Sequence, residues 1–204
     1  MHLLKRAPCK NYVILSYMTR EERLQRVAGM RQSGIIVILE DIHDPHNASA
    51  IMRTCDALGV QDVGLVFQGI KSWNPKRIGK SSSSSANKWL SFRTFSTTEE
   101  CIASLKNEGY VSIGTVIDGD KDLSEVKFAA MPQIALWIGN EHSGLSMAAR
   151  NAASMTLRIP MKGFVESLNV SVAAALVLYE ITRQRHKQYT KADALALAKK
   201  WLTS

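Results

Sequence analysis

Cysteine is scarce in this chain of 204 residues, which has three, at positions 9, 55 and 101. Their odd number, their wide spacing and the lack of a Cys-x-x-Cys pair argue against a disulfide framework or a thiolate zinc site, and indicate a reducing, cytoplasmic setting. Long apolar runs are also missing. The longest, residues 172–179, is far short of the ~20 residues that span a membrane, so we expect no membrane segment. No small-residue cleavage site follows the basic N-terminus, and we expect no signal peptide.

Several catalytic signatures are absent from the sequence. There is no Gly-x-Gly-x-x-Gly after a strand, no Gly-x-Ser-x-Gly and no His-Glu-x-x-His. Residues 74–81 fit a nucleotide-binding P-loop except that Asn74 replaces the first glycine. The five serines at 81–85 are weak helix formers where a P-loop needs a helix to begin. These features argue against a nucleotide hydrolase.

Two histidines near acidic residues raise the question of a metal. His43 and His46 lie in a predicted strand-to-helix loop and lack a third ligand at a recognisable spacing. Asp44 or Asn47 is better explained as the cap of the next helix. We therefore predict no metal site.

Basic charge is concentrated in three places. The net charge is +8, and residues 1–34 and 181–204 each carry +5, whereas residues 35–180 carry −2. Within that middle part, residues 71–93 contain no acidic residue, and Trp73, Trp89 and Phe92 are interleaved with the basic ones. Its basic residues are Lys71, Lys76, Arg77, Lys80, Lys88 and Arg93. Phosphates attract such side chains and bases stack on aromatic rings, so the pattern suggests a polyanion partner; the alternative is ordinary solvated surface charge.

The periodicity of apolar residues predicts alternating strands and helices. Strands are predicted at residues 35–39, 63–67, 89–95, 111–117, 134–138 and 155–159, and helices at about 20–31, 48–58, 98–108, 146–153, 169–184 and 190–202. Apolar strands without period-2 alternation indicate a parallel sheet that is covered on both faces. The predicted class is α/β, with a basic helical arm at 1–34, a central domain at 35–185 and a basic C-terminal helix at 186–204. Residues 68–87 are expected to form a long loop.

Three polar segments each follow the carboxyl end of a predicted strand, where α/β sheets bind ligands. The first is residues 44–53, in which Asn47 and Arg53 share a helix. The second is residues 139–144, Gly-Asn-Glu-His-Ser-Gly, whose glycines let the backbone approach a ligand closely. The third, residues 159–171, is a glycine-containing loop followed by polar groups at a helix start. Each segment alone is also compatible with turn and cap chemistry.

Taken together, the three segments resemble a known set of motifs. Asn47-x-Ser-Ala-x-x-Arg, Gly139-x-Glu-x-x-Gly and Ile159-Pro-Met-x-Gly-x-x-x-Ser-Leu-Asn-Val-Ser resemble, in the right order, the three motifs of the SpoU/TrmH family of RNA ribose methyltransferases. The resemblance spans about residues 35–185. The first motif looks most like the TrmH branch, whose members methylate a D-loop guanosine of tRNA.

The resemblance implies more than the residue pattern establishes. The family fold ends in a trefoil knot that binds S-adenosylmethionine, and family members are homodimers that complete the RNA site across their interface. By position, the cofactor pocket would include Thr115, Gly139, Ile159 and Leu168. The active-site positions would be Asn47, Arg53, Glu141, Ser167 and Asn169. Arg53 is implicated in activating the ribose 2′-hydroxyl, and we interpret its role as orienting that hydroxyl and an adjacent phosphate, since a free guanidinium is a poor base.

Alternatives remain at this point. The same motifs serve ribosomal RNA 2′-O-methyltransferases, because they encode methyl transfer rather than the target. A noncatalytic RNA-binding protein on this fold is the alternative from another class. The serine run at 81–85 lies where relatives often carry alanine and glycine, which leaves the identity of the RNA open.

Overall fold

The computed structural model describes residues 18–76 and 86–203. The predictions made for Arg77, Lys80 and residues 81–85 lie outside the described residues. Two compact units are present, one made of the described residues up to Arg31 and from Gln188, the other of residues 32–187. None of the described helices is both long and apolar enough to cross a membrane.

The larger unit is built on a parallel sheet, as predicted. Over its described residues the strands are β1 (Gln32–Glu40), β2 (Val60–Val66), β3 (Ser91–Phe95), β4 (Val111–Thr115), β5 (Lys121–Asp122), β6 (Ile134–Ile138) and β7 (Met155–Arg158). Their order across the sheet is β3-β2-β1-β6-β4-β7-β5, and every pairing is parallel. The loops at the carboxyl ends of β1, β6 and β7 therefore lie at one edge of the sheet, where parallel α/β sheets bind ligands.

Helices alternate with the strands. Those described are α1 (Arg20–Gly29), α2 (Pro45–Ala57), α3 (Thr98–Asn107), α4 (Met147–Ala152), α5 (Val170–Gln184) and α6 (Lys191–Leu202). Short 3-10 helices lie at Ala86–Lys88, Leu123–Glu125 and Phe128–Ala130. Thr97, Ser146, Asn169 and Thr190 cap the helices that follow them through their side chains.

The sheet is covered on both faces, which explains why its strands lack alternation. In β1, Val37 and Leu39 point into a core that also contains Ile51 of α2 and Val177 of α5. Their neighbour Ile38 points to the opposite face and into a second core with helices α3 and α4. Because each face has its own hydrophobic layer, all five central positions of the strand, residues 35–39, are apolar.

Some element boundaries were predicted wrongly. Helix α1 ends at Gly29 rather than 31, because Met30 caps it and Gln32 already donates to the Gly59 carbonyl as a strand residue. Strand β3 begins at 91 rather than 89, since the Trp89 N–H turns back to Ala86 and its carbonyl accepts from the Gln61 side chain.

Two further differences concern a helix start and a strand. Helix α2 begins at Pro45 rather than 48, because the Asp44 side chain accepts from the His46 N–H and so caps the helix. Strand β5, two residues long, was not predicted.

The smaller unit joins two amphipathic helices. Thr19 and Glu22 form a capping box at the start of α1. Helix α1 packs against α6, and the Arg31 guanidinium lies 5.1 Å from the centre of a Trp201 ring. The backbone N–H of Tyr189 donates to the Arg31 carbonyl. The two terminal segments, treated as separate arms in the sequence, thus share one unit in their described parts.

Candidate active site

A cavity of about 840 Å³ opens at the carboxyl edge of the sheet. It is bounded by residues 115–118 at the end of β4 and by residues 139–145 after β6, here called the cavity loop. Residues 159–161 and 166–170, after β7, complete this boundary. Its volume lies in the range of small-molecule sites, and its position is the one where parallel α/β sheets bind ligands.

The cavity loop has a conformation that requires glycine at both ends. A Cβ atom at Gly139 would overlap the Gly144 carbonyl carbon, and Gly144 has a φ of +68°. Asn140 and Gly144 exchange two backbone hydrogen bonds of 3.0 Å. The loop's own backbone fills the space that a side chain at position 139 would need, so the fold itself requires glycine there. The close approach of a ligand to the two glycines stays a prediction.

The three sequence motifs are joined by a chain of side-chain hydrogen bonds, here called the motif network. Asn47 of α2 donates from Nδ2 to Glu141 Oε1 at 2.9 Å. Asn169 donates from Nδ2 to Asn47 Oδ1 at 3.1 Å. The Glu141 carboxylate also accepts from the backbone N–H groups of His43 and Asp44, at 3.0 and 3.2 Å. One residue from each motif therefore meets at a single point.

Electrostatics keep Glu141 ionised. Its partial burial acts to raise its pKa, but hydrogen bonds from Asn47 and from backbone N–H groups outweigh that effect, so the pKa lies below its ordinary value. The carboxylate is accordingly an acceptor at neutral pH and is not poised to act as a general acid.

Asn169 links this network to the start of α5. While its Nδ2 contacts Asn47, its Oδ1 accepts from the Ser171 N–H at 2.9 Å and from the Ser171 hydroxyl at 2.6 Å. Because Asn169 caps the helix, its side chain is held by the helix backbone. Asn169 in turn holds the side-chain amide of Asn47.

The structure brings three of the five predicted active-site residues together and places the others nearby. Asn47, Glu141 and Asn169 form the motif network. Ser167 is exposed and lines the cavity. Arg53 is exposed on α2 and does not line the cavity. The catalytic roles of Ser167 and Arg53 stay predictions.

All four residues predicted to bind a cofactor line the cavity: Thr115, Gly139, Ile159 and Leu168. The Thr115 hydroxyl is already used within the protein, since it donates to the Trp137 carbonyl at 2.9 Å. It therefore shapes the wall of the cavity, and its contact with a cofactor stays a prediction.

The predicted RNA-binding residues differ in their availability. Lys71, Lys76 and Lys88 are exposed. Arg93, by contrast, forms a 2.6 Å ion pair with Glu108, and hydrogen bonding to Arg93 lowers the Glu108 pKa despite some opposing burial. An arginine held in this way is a weaker candidate for a phosphate contact than the three lysines.

The expected base-stacking role of the aromatic residues is not supported for two of them. Trp73 packs edge-on against Phe67, with ring centres 5.0 Å apart, and Phe92 packs against the core. Their apolar surface stabilises the fold. Trp89 is half-buried.

Sequence reasoning missed four side chains at this edge of the sheet. Glu40 is buried where β1 ends, and a charge that closes an apolar run was the available signal. Asn140 donates to the Asp41 carbonyl at 2.7 Å. Arg150 and Asp118 form a bidentate pair at 2.8 Å beside the cavity, and their 32-residue separation gave no signal.

No metal centre is evident in the part of the chain that the structure describes. Over those residues, no three His, Cys, Asp or Glu side chains are grouped to hold an ion.

Comparison with known proteins gives a consistent family. Residues 34–179 match the model of the SpoU rRNA methylase family. The chain is 38% identical to the tRNA (guanosine(18)-2′-O)-methyltransferase of Escherichia coli, over 82% of this chain and 71% of the relative. It is also 38% identical to the enzyme of that name from Thermus thermophilus, over 82% of this chain and 84% of the relative.

Solved structures support the same assignment. The crystal structure of the Aquifex aeolicus TrmH/SpoU tRNA modifying enzyme matches with a TM-score of 0.80 and 30% identity, covering 93% of this chain and 97% of that one. The SpoU methyltransferase AviRb from Streptomyces viridochromogenes, in complex with the cofactor AdoMet, matches with a TM-score of 0.64 and 31% identity, over 76% of this chain and 58% of that one. The family predicted from the three motifs is confirmed: the chain belongs to the SpoU rRNA methylase family.

Proposed function

We propose that this protein transfers a methyl group from S-adenosylmethionine to a ribose 2′-hydroxyl of RNA, and that its substrate is a guanosine of tRNA. The motif network carries the proposal, because it gathers one polar residue from each motif beside a cavity of cofactor size. The relatives that are 38% identical over most of this chain bear the name of that activity.

The residues around the cavity fit S-adenosylmethionine. Leu145, Leu157 and Ile159 give an apolar wall for an adenine ring, while the cavity loop and residues 159–168 offer backbone groups for its polar edges. Glu141 adds a carboxylate near a cationic ligand, whereas the charge of Asp118 is balanced by its pair with Arg150. When bound, the cofactor supplies an electrophilic sulfonium methyl group.

The chain's own residues would orient the nucleophile. A ribose hydroxyl attacks poorly unless its proton is removed as the new bond forms. Arg53 has the charge and fork geometry to hold the hydroxyl together with a neighbouring phosphate. Asn47, Glu141, Ser167 and Asn169 would supply hydrogen bonds around them. RNA backbone would lie along Lys71, Lys76, Lys88 and the basic termini, in keeping with a cytoplasmic tRNA-modifying role.

A homodimer is part of this proposal. Helix α5 buries Ala174, Val177 and Ile181 within its own unit but leaves a second apolar stripe exposed, formed by Val172, Leu176 and Tyr179. Their spacing of four and three residues places the side chains on one face. A second copy of this chain, packed on that stripe, would remove it from water.

The trefoil knot of the family is also proposed for this chain. The segment after β7 lines the same cavity as the cavity loop, and helix α5 then packs on α2, the helix that follows β1. In the sheet, β6 and β4 separate β1 from β7. A chain that returns in this way is suited to pass through the preceding loop. Crystallographic tracing of residues 134–184 tests it.

The function is tested with labelled S-adenosylmethionine, supplied with unmodified tRNA or with ribosomal RNA, followed by nucleoside digestion and mass spectrometry. We expect 2′-O-methylguanosine from tRNA alone. Label in ribosomal RNA would keep the reaction and change the target, an alternative favoured by the description of the matched family. Failure to bind S-adenosylmethionine would overturn the proposal and favour a noncatalytic role.

A further inference from the structure

Glu40 is a buried carboxylate at the carboxyl end of β1, next to the cavity loop. Its side chain is 3% exposed. Oε1 accepts from the Thr98 hydroxyl at 2.5 Å and from the Ser146 hydroxyl at 2.7 Å, and Oε2 accepts from the Ser146 N–H at 2.8 Å. Burying such a group is costly unless donors satisfy it, and these three do.

Ser146 is the residue at which the cavity loop ends and α4 begins. Its hydroxyl also accepts from the Ala149 N–H at 3.1 Å and so caps the helix. Leu145, directly before it, is 5% exposed and lines the cavity. Through two hydrogen bonds to Ser146, Glu40 therefore fixes the distal end of the loop.

Asp41, the residue after Glu40, holds the start of the cavity loop. The Asp41 carbonyl accepts from Asn140 Nδ2 at 2.7 Å. Between these two points, Glu141 is held by the N–H groups of His43 and Asp44. Residues 40–44, at the end of β1 and directly after it, thus hold Asn140 and Glu141 near the start of the cavity loop and Ser146 directly after its end.

We propose that Glu40 is a positioning residue for the cofactor: its carboxylate holds Ser146 and thereby presets the cavity loop in the shape that binds S-adenosylmethionine. The inference rests on the proposed function, since it takes the cavity to be the cofactor site. Supports of this kind contribute to affinity because a preset loop loses less conformational entropy on binding.

The test compares Glu40→Ala, Glu40→Gln and the wild-type full chain. Titration calorimetry measures S-adenosylmethionine binding, and amide hydrogen exchange of residues 140–146 is followed without ligand. Glu40→Ala should raise the Kd about tenfold or more, the order expected for lost hydrogen bonds to a charged group, and should speed exchange in the loop. Glu40→Gln should keep both the Kd and the exchange rate near their wild-type values, because its amide can accept from the Ser146 N–H and donate to the two hydroxyls.

Gln61→Ala is the matched control. Gln61 is 1% exposed and donates to the Trp89 carbonyl and the Ser91 hydroxyl, both away from the cavity lining. Its variant should lower the melting temperature while leaving the Kd unchanged. Wild-type affinity and exchange in Glu40→Ala, or an equal loss of affinity in Gln61→Ala, would overturn the positioning role.

Two further cases must be distinguished: a wild type that does not bind the cofactor, and a Glu40→Ala variant that does not fold. If the wild type does not bind S-adenosylmethionine, the proposed function fails, while the exchange data still report whether Glu40 holds the loop. If Glu40→Ala does not fold, Ser146→Ala and Thr98→Val replace it, since each removes one hydroxyl from the same oxygen. Only Ser146→Ala should weaken binding, and equal effects of the two would contradict the inference.

Discussion

The side-chain amide of Asn47 donates to the Glu141 carboxylate at 2.9 Å, across 94 residues of sequence. This contact joins the helix after β1 to the loop after β6, strands that are neighbours in the sheet. Because Asn47 also accepts from Asn169, its position depends on both partners. A substitution at Asn47 should therefore remove a hydrogen bond from the Glu141 carboxylate and another from Asn169 at the start of α5.

Asn47→Ala should raise the pKa of Glu141 towards its ordinary value of 4.5, since it removes a hydrogen bond that lowers it. A carboxylate whose pKa is lowered in the folded state stabilises the protein at pH values above its ordinary pKa. This contribution is lost as the pH falls through the folded-state pKa. The variant should thus be less stable than the wild type at pH 7, with the difference shrinking below pH 4.5. NMR titration of the carboxyl group measures the pKa, and urea unfolding at pH 7 and below pH 4.5 measures the free energy of unfolding of both proteins. The same stability difference between variant and wild type at both pH values would contradict the argument.

Arg53→Ala should lower the rate of methyl transfer by about 100-fold or more, the contribution typical of a group that assists proton transfer. The Kd for S-adenosylmethionine should change little, because Arg53 lies outside the cavity lining. Single-turnover methylation and calorimetry separate the two effects. Lys106→Ala, which removes an exposed cation on α3 outside the cavity lining, is the control and should keep the wild-type rate. Lost cofactor binding in Arg53→Ala would refute the assigned role.

Local features were predictable because they depend on nearby residues. Strand β6 was predicted at its observed bounds, and α5 begins at Val170, one residue after its predicted start. Apolar runs and helix caps involve residues that are close together within one helix or strand, so they are visible directly in the sequence. The same reasoning predicted the parallel sheet and its two covered faces.

Long-range relationships were not predictable in this way. Periodicity does not say that β6 pairs with both β1 and β4, and that pairing brings Glu141 to Asn47. Glu40 had no visible partner because Thr98 and Ser146 lie 58 and 106 residues away. The family resemblance supplied the site residues, while the contacts among them came from the fold.

Lys71→Ala, Lys76→Ala and Lys88→Ala should each weaken tRNA binding and reduce the slope of log affinity against log salt by about one, if each lysine neutralises a phosphate. The three side chains are exposed. Arg93→Ala is the comparison, and its slope should change less because Glu108 already pairs with that guanidinium. Filter binding at several salt concentrations measures the slopes, and a salt-independent wild type would exclude a phosphate-dominated interface.

Leu176→Glu should convert the proposed homodimer to a monomer. The substitution places a charge in the centre of the exposed stripe on α5, where it would be buried unpaired in the dimer. Leu195→Glu is a matched control on α6, since the two leucines are 44% and 45% exposed. Sedimentation velocity should show a smaller species only for Leu176→Glu. A monomeric wild type, or a dimeric Leu176→Glu, would refute the assigned interface.

Arg185→Met should destabilise the larger unit although Arg185 lies outside the cavity lining. The buried guanidinium donates to the carbonyls of Met131, Ser33 and Pro132, and burial lowers its pKa. Met fills much of the volume but leaves those carbonyls without their donor, which costs about 2–4 kcal/mol of unfolding free energy for a charged donor with several acceptors. Urea unfolding measures the loss, with exposed Arg183→Met as the control. Ser33 lies in the first part of β1, and Met131 and Pro132 lead into β6. A Kd for S-adenosylmethionine that stays at the wild-type value would therefore show that the cost is confined to stability.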